Sequence, residues 1–147
     1  MKAAITAFLM TLFLAAPSWG VLGQPVQTVR SDQQRMHGEL RSISRQGYSI
    51  QQISAAGGTV IKEYVSPGGM VFGVSWQGMA VPNLSQLLGS YFQPFQQASR
   101  SAVHRRQALV VRTNEVVVES GGHMRAFHGR AYVPVLLPNH LTPAVVQ

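Results

Sequence analysis

The stretch Met70-Val71-Phe72-Gly73-Val74-Ser75-Trp76-Gln77 decides the fold. Read as a strand, it puts Met70, Phe72, Val74 and Trp76 on one face and Val71, Gly73, Ser75 and Gln77 on the other. A face that apolar has to be covered. Upstream, Ser66-Pro67-Gly68-Gly69 is a turn signal, and residues 59–65 are rich in β-branched and aromatic side chains, the composition of a second strand. Ala55-Ala56-Gly57-Gly58 marks another turn, and residues 48–54 before it read as a third strand. The three together predict an antiparallel meander with one strongly apolar face.

The cover is predicted from the segment that follows. Pro82 ends the meander and Asn83 is placed to cap a helix, with Gln86 three residues on completing a capping-box pattern. Leu84, Leu87, Leu88, Tyr91, Phe92 and Phe95 recur at i, i+3, i+4, i+7, i+8 and i+11, one stripe of an amphipathic helix. Pro94 should kink or end that helix near Phe92. Residues 108–112, 115–119 and 124–133 then read as a second meander, with turns at Thr113-Asn114 and Gly121-Gly122. Residues 24–36 are polar, with Val26, Val29 and Met36 at loosely helical spacing, and read as a short helix or an ordered arm. The expected class is α+β: meander, amphipathic helix, second meander, with the helix packed on one face of the sheet.

The first residues have a different character. Lys2 precedes an uncharged apolar run over 3–16, Pro17 breaks it, and Ser18-Trp19-Gly20 offers small residues at the −3 and −1 positions of a cleavage site. The run is shorter than the ~20 residues a bilayer requires. Residues 1–20 are therefore expected to be a cleavable export signal, cut after Gly20 or alternatively after Gly23. Residues 21–147 would form one exported domain, periplasmic or secreted, with no membrane span after cleavage. Lys and Arg number 12 against 5 acids, and export removes only Lys2 from that balance. A basic exported domain is compatible with anionic envelope surfaces as well as with plain solubility. The chain has no Cys. That excludes disulfides, thiolate metal sites and a cysteine nucleophile.

Candidate chemistry is sparse. Gly73-Val74-Ser75-Trp76-Gln77-Gly78 misses the nucleophile-elbow spacing by one residue, and Asp32 is the only Asp available to a triad. His123 and His128 are an odd number of residues apart, and His37, His104 and His140 are isolated, so they read as surface or turn histidines. Glu115 and Glu119 would share a face of an unbroken strand, either as a carboxylate pair or as solvated edge residues. Arg100, His104, Arg105 and Arg106 form the densest positive cluster, placed to contact a phosphate or acidic polysaccharide or to sit at a helix C-terminus. No aromatics interleave them, which argues against a nucleic-acid partner.

Glu63 depends on hairpin register. With Val65 opposite Met70, Glu63 opposes Phe72 on the apolar face, where a carboxylate needs a partner or a raised pKa. With Ser66 opposite Met70, Lys62 takes that face instead. The sequence leaves both registers open.

Residues 63–78 resemble a family of small exported proteobacterial proteins catalogued only as a domain of unknown function. Leu87-Leu88-Gly89-Ser90-Tyr91-Phe92, Ser120-Gly121-Gly122-His123 and Gly129-Arg130-Ala131-Tyr132-Val133-Pro134 add to the likeness, and Val21-Leu22-Gly23 is similar to its usual mature start. The resemblance implies a bacterial envelope or secreted protein and brings no activity, ligand or catalytic residue. The expected function is a non-enzymatic binding or assembly role toward an anionic envelope component or another envelope protein. No cofactor or metal is expected, and the candidate contacts are Glu63, Arg100, Arg105 and Arg106. The alternative is a hydrolase of an envelope polymer, using Glu63 or the Glu115/Glu119 pair.

Overall fold

The computed structural model describes residues 21–102 and 108–147. The expected signal, residues 1–20, lies outside the described residues, as do His104, Arg105 and Arg106. Seven strands form one antiparallel sheet: β1 (Glu39–Arg45), β2 (Tyr48–Ser54), β3 (Val60–Val65), β4 (Val71–Gly78), β5 (Ala108–Arg112), β6 (Val117–His123) and β7 (Ala126–Tyr132). Their spatial order is β1-β2-β3-β4-β7-β6-β5. Among the described residues three α-helices accompany them: α1 (Val29–Met36), α2 (Leu84–Leu88) and α3 (Phe92–Ser99). The class is α+β, with helices against one sheet face.

Both meanders are present, and the sheet face carrying Trp76 is the covered one. Val74 and Trp76 pack with Leu87, Leu88 and Phe95 in one core cluster, joined by Val111, Val118 and Ala131 from the second meander. Val21 and Leu22 belong to the same cluster and are fully buried. The N–H of Leu22 donates to the Leu87 carbonyl (3.1 Å), and that of Gly23 to the Val71 carbonyl (2.8 Å). Val21 and Leu22 are thus held in the core by backbone as well as by side chain.

Several expectations are corrected. β1 was not read from the sequence. It is an edge strand whose side chains are exposed or half-buried, so its apolar signal is weak. The long helix is two helices. It breaks at Gly89, whose φ of 53° is left-handed, passes through a 3-10 turn (Gly89–Tyr91) and restarts as α3. Pro94 neither kinks nor ends it. It occupies the third position of α3, where the backbone N–H has no intrahelical acceptor to lose. Gly121 and Gly122 lie inside β6, and the turn is Met124-Arg125, between paired His123 and Ala126. Arg125 takes the positive φ there, 65°. The segment expected as a strand over 115–119 begins only at Val117. Glu115 belongs to a turn held by the Thr113 hydroxyl, which accepts from the N–H groups of Glu115 (3.2 Å) and Val116 (2.9 Å).

The alternation of β4 is also broken once. Val65 pairs with Val71, but Tyr64 pairs with Gly73, so Phe72 is an extra residue, a β-bulge. Val71 therefore shares the helix-covered face with Val74 and Trp76. Phe72 turns to the opposite face and packs with Ile50, Tyr64 and Val146.

Candidate functional site

The register builds a trough on the face away from the helices. Lys62 pairs with Ser75, Ser75 with Arg130, Arg130 with Glu119, and Glu119 with Val110. The next rung runs Val60, Gln77, His128, Gly121, Ala108. Side chains of paired residues share a face, so these rungs lie side by side across five strands. A cavity of about 810 Å³ lies over them, with Arg125, Phe127, Met79 and Gln147 at its margins. Gly121 leaves the floor of the second rung low.

One end of this face is closed by the segment after β7. Val146 is fully buried and packs with Tyr64 and Phe72, against Gly73, where a Cβ would stand 2.7 Å from Val146 Cγ2. Tyr64 ties the segment down. Its hydroxyl donates to the Gln147 carbonyl and accepts from the Gln147 N–H (3.0 Å), with Ser75 Oγ at 3.3 Å. Lys62 Nζ donates to the same Gln147 carbonyl (3.2 Å), and Arg130 donates to the carbonyls of Pro143 (3.3 Å) and Val146 (3.2 Å).

The trough is cationic. Lys62, Arg125 and Arg130 contribute fixed positive charge and His128 adds an exposed imidazole, against Glu119, the one acidic side chain among the described residues lining the cavity. Glu119 is itself engaged twice: Oε1 accepts from Arg112 and Oε2 from Arg130, both at 2.8 Å. A carboxylate held between two guanidinium groups is an anchor for Arg130 rather than an acid or base. Its expected partner, Glu115, is in the preceding turn, so the two form no pair across a strand. His123 and His128 sit on different strands, and no three His, Asp or Glu side chains converge among the described residues.

Glu63 lies elsewhere. It stands on the covered face, opposite Val74, with no solvent exposure. Neither carboxyl oxygen has a hydrogen-bond partner among the described residues. Burial pushes its pKa up to about 8, and the neighbouring Asp32 carboxylate adds to the shift. Asp32, on α1, is 2 % exposed. Its own pKa is raised by burial and held back by the Gln86 amide, which donates to Oδ1 (3.0 Å), and by Arg35 at 3.5 Å. The capping box is therefore half-formed. Asn83 Oδ1 accepts from the Gln86 N–H (3.2 Å), but the Gln86 side chain turns to Asp32. The Glu63–Asp32 juxtaposition was missed because a capping pattern and a polar arm gave no reason to bring them together.

Of the other candidate contacts, Arg100 follows α3 directly and is exposed. Arg105 and Arg106 lie outside the described residues. A protein family described as protein of unknown function (DUF2844) matches residues 18–146. The chain belongs to that family. The matched span includes Val21, Leu22, Asp32, Glu63 and every residue named along the trough except Gln147. No curated protein and no solved structure matches the chain.

Proposed function

We propose that this is an exported, non-enzymatic binding domain whose trough takes an extended anionic envelope polymer. The observation that carries the reading is the cavity of about 810 Å³ over two register rungs, with Lys62, Arg125, His128 and Arg130 around one already neutralised carboxylate. A trough crossing five strands suits a chain-like ligand better than a flat lipid surface. Guanidinium forks recognise carboxylate or phosphate groups along such a chain. Export is supported by the signal-like pattern of residues 1–20. Among the described residues Glu63 does not line the trough and Glu119 has no second acid beside it, so the binding reading is preferred to the hydrolase one.

The test is binding of the domain to an acidic polysaccharide, measured against salt, with neutral polysaccharide and anionic vesicles as controls. Binding should fall as ionic strength rises and should fall again when Lys62 and Arg125 are changed to Gln. Changing Arg100, Arg105 and Arg106 to Gln tests the other basic cluster in parallel. Loss only in the second set moves the contact from the trough to the end of α3. Indifference to both sets, or preference for neutral polymer, ends the reading.

A further inference from the structure

The unexplained feature of the core is Glu63, a carboxyl with no exposure, no hydrogen-bond partner among the described residues, and a second buried acid beside it. A core that holds two acids together has a use for a cation. Among the described residues, neither Glu63 oxygen is hydrogen-bonded. Asp32 and Arg35 come from α1, and Arg35 stands 3.5 Å from Asp32. Gln86 comes from α2 and is committed to Asp32. Gln51, across the ladder on β2, donates to Ser42.

One cation is still to be made. Val21 and Leu22 belong to the core cluster that also holds Ile61, Val65 and Val74, which flank and oppose Glu63, and the N–H of Gly23 donates to Val71, the ladder partner of Val65 two residues from Glu63. Leu22 is hydrogen-bonded to Leu87, next to the Gln86 that holds Asp32. The cut expected from the sequence falls at the peptide bond entering this cluster. We propose that removal of residues 1–20 creates an α-ammonium on Val21 that pairs with Glu63 and Asp32, so that processing completes the core. Hydrolysis by a peptidase breaks the Gly20–Val21 bond. Water gives its OH to the Gly20 carbonyl and a proton to the Val21 nitrogen. The resulting amine takes the proton of Glu63, leaving an ammonium–carboxylate pair. A neutral amide at the same place offers one donor and no charge. A cut after Gly23 would delete two fully buried residues, and so the proposal selects the cut after Gly20.

The inference rests on the export reading, and its test separates the two. Mass spectrometry of the exported chain gives its first residue. Retention of residues 1–20 overturns export and pairing together, and a start at Gln24 overturns the pairing alone. Three forms are then compared: a chain beginning at Val21, the same chain Nα-acetylated, and a chain beginning at Gly20. Each is made with Glu63 and with Glu63→Gln. The free Val21 form should melt higher than both others, by about 5 °C or more for a buried charge pair in a domain of this size. That advantage should vanish in Glu63→Gln. Carbon NMR of the Glu63 carboxyl should show it ionised at neutral pH only when the Val21 amine is free. Equal melting of the three forms, an advantage that survives Glu63→Gln, or a protonated Glu63 in the free form would each overturn the pairing.

Discussion

Glu63 stands opposite Val74, two rungs beyond the Val65–Val71 pair, because Phe72 is bulged out of the ladder between them. The hairpin end follows the register that would have exposed Glu63: the Ser66 N–H donates to the Met70 carbonyl. One extra residue then shifts the rest of β3 against β4 and carries Glu63 under the helices. A bulge reverses side-chain facing by one step. Here that step decides whether a carboxyl or Lys62 enters the core, and it leaves Lys62 to the trough.

A buried acid of this kind gives stability a definite pH dependence while the Val21 nitrogen remains in a peptide bond. The ordinary pKa of Glu63 is 4.5, and burial followed by Asp32 raises it to about 8 in the fold. Below 4.5 the group is protonated whether folded or not. Between the two values the unfolded chain has released a proton that the folded chain retains. Stability should therefore fall as pH rises from about 4.5 to 8 and then level. Asp32, raised in the same direction, adds a slope of the same sign. Urea midpoints at pH 4, 6 and 8 should decline in the blocked protein, and Glu63→Gln should flatten most of the decline. Parallel curves for the two would show that Glu63 titrates as a solvated acid.

Packing across the ladder predicts a contrast between two glycines. Gly129 pairs with Trp76, and a Cβ there would lie 2.2 Å from Trp76 Cζ2 and 2.8 Å from the Glu119 carbonyl. Gly129→Ala should cost roughly 1–3 kcal/mol by overpacking. At Gly57, in the β2–β3 turn, a Cβ meets nothing within 4 Å. Gly57→Ala should then stay within about 0.5 kcal/mol of the parent. Chemical denaturation of both variants checks the pair, and equal effects would mean that Trp76 does not rest on Gly129.

The sequence carried the elements whose signals are strong and local. β2 and β5 begin and end where the turn residues place them, Asn83 caps α2, and the leucines at 87 and 88 face Trp76. What it could not carry is set by partners distant in the chain. Phe72 is apolar and sits in register with Val74, so nothing local marks it as bulged. Gly121-Gly122 looks like a turn, yet their pairing with His128 and Phe127 keeps them in the ladder. The trough follows from register across five strands, which no single segment encodes. Asp32 was visible only as the sole Asp of a polar arm.

The Glu119 carboxylate offers a test of the trough that is nearly silent in stability. It lies between Arg112 and Arg130 and is 24 % exposed. Exposed ion pairs contribute about 0–1 kcal/mol each, so Glu119→Gln should leave the fold close to its parent. The variant removes the one acidic side chain among the described residues that line the trough, and leaves Arg130 held by the Pro143 and Val146 carbonyls alone. Acidic polysaccharide should then bind more tightly at low salt and lose that gain as salt rises. Weaker binding in Glu119→Gln would mean that Arg130 needs its anchor more than the ligand needs the added charge.

The covered face makes the firmest demand on the core. Trp76 is 2 % exposed, and Leu87 and Leu88 from α2 are fully buried in its cluster. α2 has only five residues, too few to hold together in water without packing. Its place therefore depends on these two leucines and on the Asn83 cap. Leu88→Ala should cost roughly 2–5 kcal/mol, as for a large-to-small change in a core. With residues 1–20 removed, Trp76 is the sole Trp, so its emission reports this face directly. Emission should be blue-shifted in the native protein and move red on unfolding. Its Nε1 has no hydrogen-bond partner among the described residues, so the indole N–H should exchange slowly with solvent and gain a partner only when the face opens. Leu88→Ala should bring the red shift to lower denaturant without changing the native maximum by much. If the native indole emits as a solvated one, α2 does not cover the sheet, and the assignment of the covered and open faces would have to be reversed.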